Sequence, residues 1–238
     1  MKILAIDTAT EACSAALYIE GAPGEGITSE YQLAPREHSR LILKMIDRLL
    51  SQAEMTVKEL DAIAFGRGPG SFMGLRIAAG VVQGIAFAHD IPVIPVSTLK
   101  AIAQRAHELT GKEHVLAAID ARMDEVYWAS YSLTGKQWSL NGEERVISPD
   151  KLQLAEILSG HEQNWVGAGT GWDSYADRLL PNVDLNLFTR LDDCFPSARV
   201  IAMLAIEELK AGNTVPAAEA IPVYLRNDVA KKPKPFVL

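Results

Sequence analysis

Ala5-Ile6-Asp7, the close of an apolar run that begins at Ile3, recurs as Ala118-Ile119-Asp120 at an offset of 113 residues. Each copy continues in the same way. A small-residue strand follows, Cys13 to Ile19 in the first case and Glu125 to Leu133 in the second, and each strand ends on turn residues, AlaProGlyGluGly at 22–26 and Thr134-Gly135. Half of 238 residues is 119, close to the offset, so the spacing reads as one lobe duplicated along the chain.

Between the copies the hydrophobic period changes from two to 3.6. Ile42, Met45, Ile46, Leu49 and Ala53 share one side of a helix expected from about Arg36 to Ala53, with Arg40, Lys44, Asp47, Arg48 and Ser51 on the other. Asp61 to Phe65 reads as a short buried strand, GlyArgGlyProGly at 66–70 as a loop, Ser71 to Ala88 as a nearly all-apolar helix and Pro92 to Val96 as a further strand. Helical spacing returns at Thr98 to Leu109, Pro149 to Ser159, Asp173 to Leu180 and Ser197 to Lys210. Pro196 and Gly212 punctuate the last of these. Strands alternating with helices imply parallel pairing, hence an α/β class. The expected division is a first lobe over residues 1–100, completed by the C-terminal helix region, a second and smaller lobe over 101–225, and a mobile basic tail over 226–238 carrying Lys231, Lys232 and Lys234.

The formal charge of −7 argues against a chain that grips nucleic acid by itself. A hydrophobic fraction of 48% excludes wholesale disorder. Cys13 and Cys194 stand far apart, and MetLysIleLeuAlaIleAsp reaches an acid before a signal-peptide core develops, so the expectation is a cytoplasmic protein with reduced thiols. The most apolar stretch, Ile77 to Ala88, has 12 residues and reads as a buried helix rather than a membrane span.

No single motif announces chemistry. The histidines at 38, 89, 107, 114 and 161 include no pair at i, i+4 spacing, so no metal motif is written. GlyArgGlyProGlySer at 66–71 opens a helix and offers backbone N–H groups to a phosphate, but lacks the Lys-Ser/Thr pair of a P-loop. Its glycines also suit close helix packing, with Gly70, Gly74, Gly80 and Gly84 at small-x-x-x-small spacing. GlyAlaGlyThrGly at 167–171 departs from the dinucleotide fingerprint by one position, leaving Gly169 as a weak nucleotide-site candidate beside a plain turn. Ser71 lacks a nucleophile-elbow frame, and no carboxylate pair stands out.

The duplicated strand-Asp-turn-strand resembles the actin, Hsp70 and sugar-kinase fold, two ribonuclease-H-like lobes around a cleft. Five segments in order narrow the likeness: IleLeuAlaIleAspThrAla at 3–9, HisSer at 38–39, GlyProGlySerPheMetGlyLeuArgIle at 68–77, IleAspAlaArgMetAspGluValTyr at 119–127 and ProValTyrLeuArg at 222–226. Together they resemble the bacterial TsaB (YeaZ) family over essentially the whole chain. The resemblance implies a non-catalytic partner of TsaD, which, with TsaE, transfers threonylcarbamoyl to N6 of adenosine 37 in tRNAs reading codons that begin with A. It implies no cofactor, and contact with tRNA only through the partner. The His-x-x-x-His metal pair of TsaD maps onto Thr98 and Ile102, which cannot ligate a metal as imidazoles do. Asp7 and Asp120 lack the following glycine of kinase phosphate loops, although Asp7 stays a weak candidate for a magnesium shell. The resemblance further implies a helical interface with TsaD, or with a second copy when the chain is alone. Here that face is assigned to Leu43, Leu50, Phe72, Met73, Gly74, Ile77, Gly80, Val81 and Gly84. The competing reading is an ATP-dependent phosphotransferase or a metallopeptidase-like enzyme of the same superfamily.

Overall fold

The computed structural model describes residues 1–23, 26–158, 165–180 and 188–226. The chain opens with an antiparallel meander of β1 (Lys2–Asp7), β2 (Ala12–Ile19) and β3 (Ile27–Leu33). It continues through α1 (His38–Gln52), β4 (Ala62–Gly68), α2 (Phe72–His89), β5 (Val93–Ser97) and α3 (Thr98–Thr110). The second half holds β6 (His114–Arg122), β7 (Glu125–Thr134), β8 (Gln137–Leu140), β9 (Arg145–Ile147), α4 (Leu154–Leu158), β10 (Trp165–Ala168), α5 (Thr170–Leu179), β11 (Phe188–Leu191) and α6 (Ala198–Lys210).

The two halves share one topology. The first sheet runs β3-β2-β1-β4-β5, and the second runs β8-β7-β6-β10-β11 with β9 added on β7. In each, the first three strands form an antiparallel meander, and the fourth and fifth lie parallel to the first. The repeated AlaIleAsp therefore occupies equivalent places, towards the C-terminal end of the first strand of each sheet. These are the two ribonuclease-H-like lobes of the actin, Hsp70 and sugar-kinase fold.

Both faces of the first sheet are buried, which is why β1 and β4 read as unbroken apolar runs. Leu4, Ile6, Ile63 and Phe65 face α1 and α2, while Ile3, Ala5, Ala62 and Ala64 face α6. The helix that follows each lobe's fifth strand packs on the other lobe. Leu99, Ile102 and Ala106 of α3 bury against Val115, Ala117 and Ala129 of the second sheet, and Ile201, Ala202 and Ala205 of α6 cover the first. On the opposite face of the second sheet, Trp172 of α5 packs among Trp128 and Phe188, its Nε1–H donating to Leu116 O at 2.8 Å.

Several expected boundaries move for local reasons. The first helix starts at His38, because Arg36 adopts a left-handed φ of 67°. The stretch expected as a loop at 66–70 is partly strand: Gly66 and Gly68 pair with Val96 and Ser97, extending β4 across a bulge. Over the helix expected at Pro149 to Ser159, the chain forms a 3-10 turn at Pro149–Lys151 and then the short α4 ending at Leu158, and Ser159 lies outside the described residues. α5 begins at Thr170, ahead of the expected Asp173. The strand β3 is exposed over most of its length, and its alternation of Ile27, Tyr31 and Leu33 with Thr28, Glu30 and Gln32 is broken by Ser29, which leaves only a weak signal in sequence. Lys231, Lys232, Lys234 and His161 lie outside the described residues.

α2 is 18 residues long and, by length and composition alone, apolar enough to cross a bilayer. It is not the wholly buried helix that its composition suggests. Leu75, Ala78, Val82 and Ala86 are buried against the first sheet, and the opposite side is exposed.

Candidate functional site

Asp7 sits in register with Ser14, and Ser14 with Tyr31, so the three share the α6-facing side of the first sheet. Asp7 is fully buried. Its Oδ2 accepts a long hydrogen bond from Ala9 N at 3.4 Å, and Oδ1 has no hydrogen-bond partner among the described residues. Burial raises its pKa from 3.8 to about 7, against a smaller lowering by the Ala9 N–H. Gly66 backs the carboxyl so closely that a Cβ there would stand 2.1 Å from Oδ1. Beside it, Ser14 Oγ accepts the Ala198 N–H at 2.8 Å, anchoring the first turn of α6 to the sheet.

Asp120, the equivalent acid, is satisfied locally. Its Oδ1 accepts from Arg122 N at 2.8 Å and from the Tyr175 hydroxyl at 3.3 Å, while Oδ2 accepts from the Arg122 guanidinium at 2.9 Å. The turn that follows carries three successive left-handed residues, Arg122, Met123 and Asp124. It meets the first lobe, since Arg122 approaches Glu11 at 3.8 Å. The C-terminal strap adds a further tie: Val223 N donates to Arg67 O at 2.7 Å, and Arg226 pairs with Glu125.

The glycine-rich segments are filled by the chain itself. A Cβ at Gly70 would lie 2.4 Å from Ala9 O, and one at Gly74 2.0 Å from Thr8 O. Ser71 N donates to Ala9 O at 2.7 Å and Thr8 Oγ1 to Gly74 O at 2.7 Å, so backbone of residues 8 and 9 occupies the mouth of α2 where a phosphate would approach. Gly169, with φ 102°, would place a Cβ 2.3 Å from Ala118 O, while Gly167 and Gly171 abut Trp172 and Ala118. Tight packing of the β10–α5 corner on β6 accounts for these glycines without an adenine. Thr98 and Ile102 are buried on α3. No group of three potential metal ligands occurs among the described residues. His38 instead donates from Nε2 to Thr10 O at 2.9 Å.

The residues read as an interface divide. Met73, Gly80 and Gly84 are exposed along one side of α2, with Phe72 beside them at its start; Ile77 and Val81 are half-buried, and Leu43 is exposed on the adjoining α1. Phe87, absent from the sequence assignment, extends the stripe and is 83% exposed. A Cβ at Gly80 or Gly84 would meet nothing within 4 Å among the described residues. Two residues leave the set. Leu50 lies in the core with Leu49 and Ile46, because the α1 stripe is wider than its strict i, i+3, i+4 row. Gly74 is buried against Thr8 and cannot take a larger side chain. Phe87 was legible only as part of an all-apolar helix, whose period does not distinguish its sides.

Comparison with known proteins agrees with this architecture. The family model described as TsaD, tRNA N6-adenosine threonylcarbamoyltransferase, matches residues 23–234. The tRNA threonylcarbamoyladenosine biosynthesis protein TsaB of Escherichia coli is 42% identical over 99% of this chain and 99% of its own. The TsaB of Haemophilus influenzae is also 42% identical, over 99% and 98% of the two chains. The solved structure of YeaZ from Pseudomonas aeruginosa superposes with a TM-score of 0.85 at 44% identity, covering 94% of this chain and 99% of that one. With motifs, duplicated topology and near-complete coverage in agreement, the chain belongs to the TsaB (YeaZ) family.

Proposed function

We propose that this chain is a non-catalytic subunit of tRNA threonylcarbamoyladenosine biosynthesis. It binds a TsaD-type transferase through the exposed side of α2 and supports, with TsaE, threonylcarbamoyl transfer to N6 of adenosine 37 in tRNAs reading codons that begin with A. The names of its full-length relatives support the pathway. The observation that carries the binding role is the uncovered apolar stripe of Met73, Gly80, Gly84 and Phe87. Each mid-helix glycine costs about 1 kcal/mol relative to alanine, and neither Gly80 nor Gly84 has a close neighbour among the described residues to require it. Close approach of another helix supplies that requirement. The matching stripe of a second copy is the occupant when the chain is alone, and tRNA is held by the partner. The chain acts in the cytoplasm. In this reading residues 1–100, with the C-terminal helix region, form the partner-binding lobe, residues 101–225 the second lobe and 226–238 a basic tail.

The test is Gly80→Arg. The variant folds, because the new side chain points into open space, yet loses capture of the TsaD-type subunit and formation of the modified adenosine in a reconstituted reaction. A folded variant that still captures TsaD unchanged overturns the reading. So does ATP turnover by the purified chain alone, the mark of the competing enzyme.

A further inference from the structure

A cavity of about 770 Å³ opens between the β5 edge of the first sheet, the β7–β8 hairpin of the second and the C-terminal half of α6. Neither Asp7 nor Asp120 lines it, and it shares no residue with the exposed stripe of α2. It is separate from the two equivalent aspartates and from the proposed partner face.

The ionised groups around this cavity are of two kinds. Some are closed within the protein. Lys100 Nζ donates to Glu208 Oε1 at 3.1 Å, and Asn213 donates to the other oxygen of that carboxylate at 2.8 Å. Glu144 accepts from the Tyr131 hydroxyl at 2.6 Å and from the Ser97 hydroxyl. Arg67 and Glu143 are of the other kind. Neither side chain has a hydrogen-bond or ion-pair partner among the described residues, although the Arg67 charge acts at longer range on Glu208 and Tyr131, and its Nε is shut away from water. The terminal nitrogens of a guanidinium fit a carboxylate or phosphate in two-point contact, and the buried Nε–H, out of reach from the cavity, takes no part in it. Apolar surface from Trp138, Leu140, Leu204 and Val215 lines the same space.

The charge balance selects between the two anions. Glu143, Glu144 and Glu208 outnumber Arg67 and Lys100, so a multiply charged phosphate meets repulsion there. A single carboxylate that brings its own ammonium does not, because the ammonium is matched by the free Glu143. We propose that the cavity is a binding site for a small zwitterion with an apolar body, an aliphatic or aromatic amino acid or a dipeptide of such residues. Its carboxylate lies on Arg67, its ammonium towards Glu143 and its side chain against Trp138 and Leu140. The volume falls in the range of ordinary ligand sites. This inference does not rest on the partner-binding role.

The experiment titrates the full chain calorimetrically with L-leucine, L-phenylalanine and leucylglycine, and with acetate and butylamine as half-ligands. At least one zwitterion saturates the site in the millimolar range or below, and the half-ligands do not. Glu143→Gln, in an exposed loop that leaves the fold intact, weakens binding by about tenfold, as does Arg67→Gln, each removing one charge-assisted contact. If Arg67→Gln fails to fold, Glu143→Gln decides alone. Absence of saturable binding by all three zwitterions overturns the proposal, as does equal binding of acetate or butylamine, or affinity unchanged in Glu143→Gln.

Discussion

Replacing Asp7 with asparagine tests the most unusual group in the fold. The carboxyl is fully buried, and its pKa is carried from 3.8 to about 7 by that burial. An acid whose folded pKa is raised holds its proton in the native state after the unfolded chain has lost it, so stability falls as pH rises between the two values. The cost is absent below pH 3.8 and fully present above about pH 7. At about 1.4 kcal/mol per pH unit, it amounts to about 2 kcal/mol at pH 5 and about 4 kcal/mol at pH 8. Asparagine does not titrate. It carries its own fixed cost, since an amide group at the Oδ1 position finds no hydrogen-bond partner there among the described residues. That cost is the same at both pH values, and the other titrating groups contribute alike to the two proteins at each pH, so both cancel in the comparison. Urea unfolding of both proteins, extrapolated to water at pH 5 and pH 8, therefore shows the variant gaining about 2 to 3 kcal/mol on the parent as pH rises. A difference between the two proteins that is equal at pH 5 and pH 8 refutes the argument, because Asp7 would then ionise as it does in the unfolded chain.

Two further outcomes follow from buried groups. Ser14→Ala removes the acceptor of the Ala198 N–H and leaves a buried donor at the start of α6 unpaired. The loss is about 1 to 3 kcal/mol of stability in urea, and a change of only a few tenths would show that the contact does not hold α6 to the sheet. Burial pushes the Cys13 thiol up to about 11, with the Asp7 charge adding to it, and the Cys194 thiol up to about 12. Neither is exposed, so a thiol-disulfide reagent at pH 8 leaves the native protein untouched and titrates both cysteines after unfolding. Fast native-state reaction at either cysteine refutes this.

The amino-acid sequence by itself determined the α/β class, the duplication and the family. These depend on short-range signals that survive without coordinates: apolar runs closed by aspartate, a 3.6-residue stripe at Ile42, Met45, Ile46 and Leu49, Pro196 before α6 and Gly212 after it. It also carried the glycine positions, but not their uses. Gly74, Gly80 and Gly84 look alike in an all-apolar helix, because a period can be read only where one side is polar. The tertiary structure separates them, pressing Gly74 onto Thr8 O and leaving Gly80 and Gly84 open. Likewise GlyAlaGlyThrGly at 167–171 reads equally as a nucleotide loop or a turn until Ala118 and Trp172 are seen against it. Contacts far apart in sequence decided the rest. Asp7 is a buried acid, not an open ligand, because Gly66 and α6 close over it, and Arg67 and Glu143 line one cavity only because α3 and α6 each pack on the other lobe's sheet. Such juxtapositions are set by long-range packing between lobes, which no local pattern encodes.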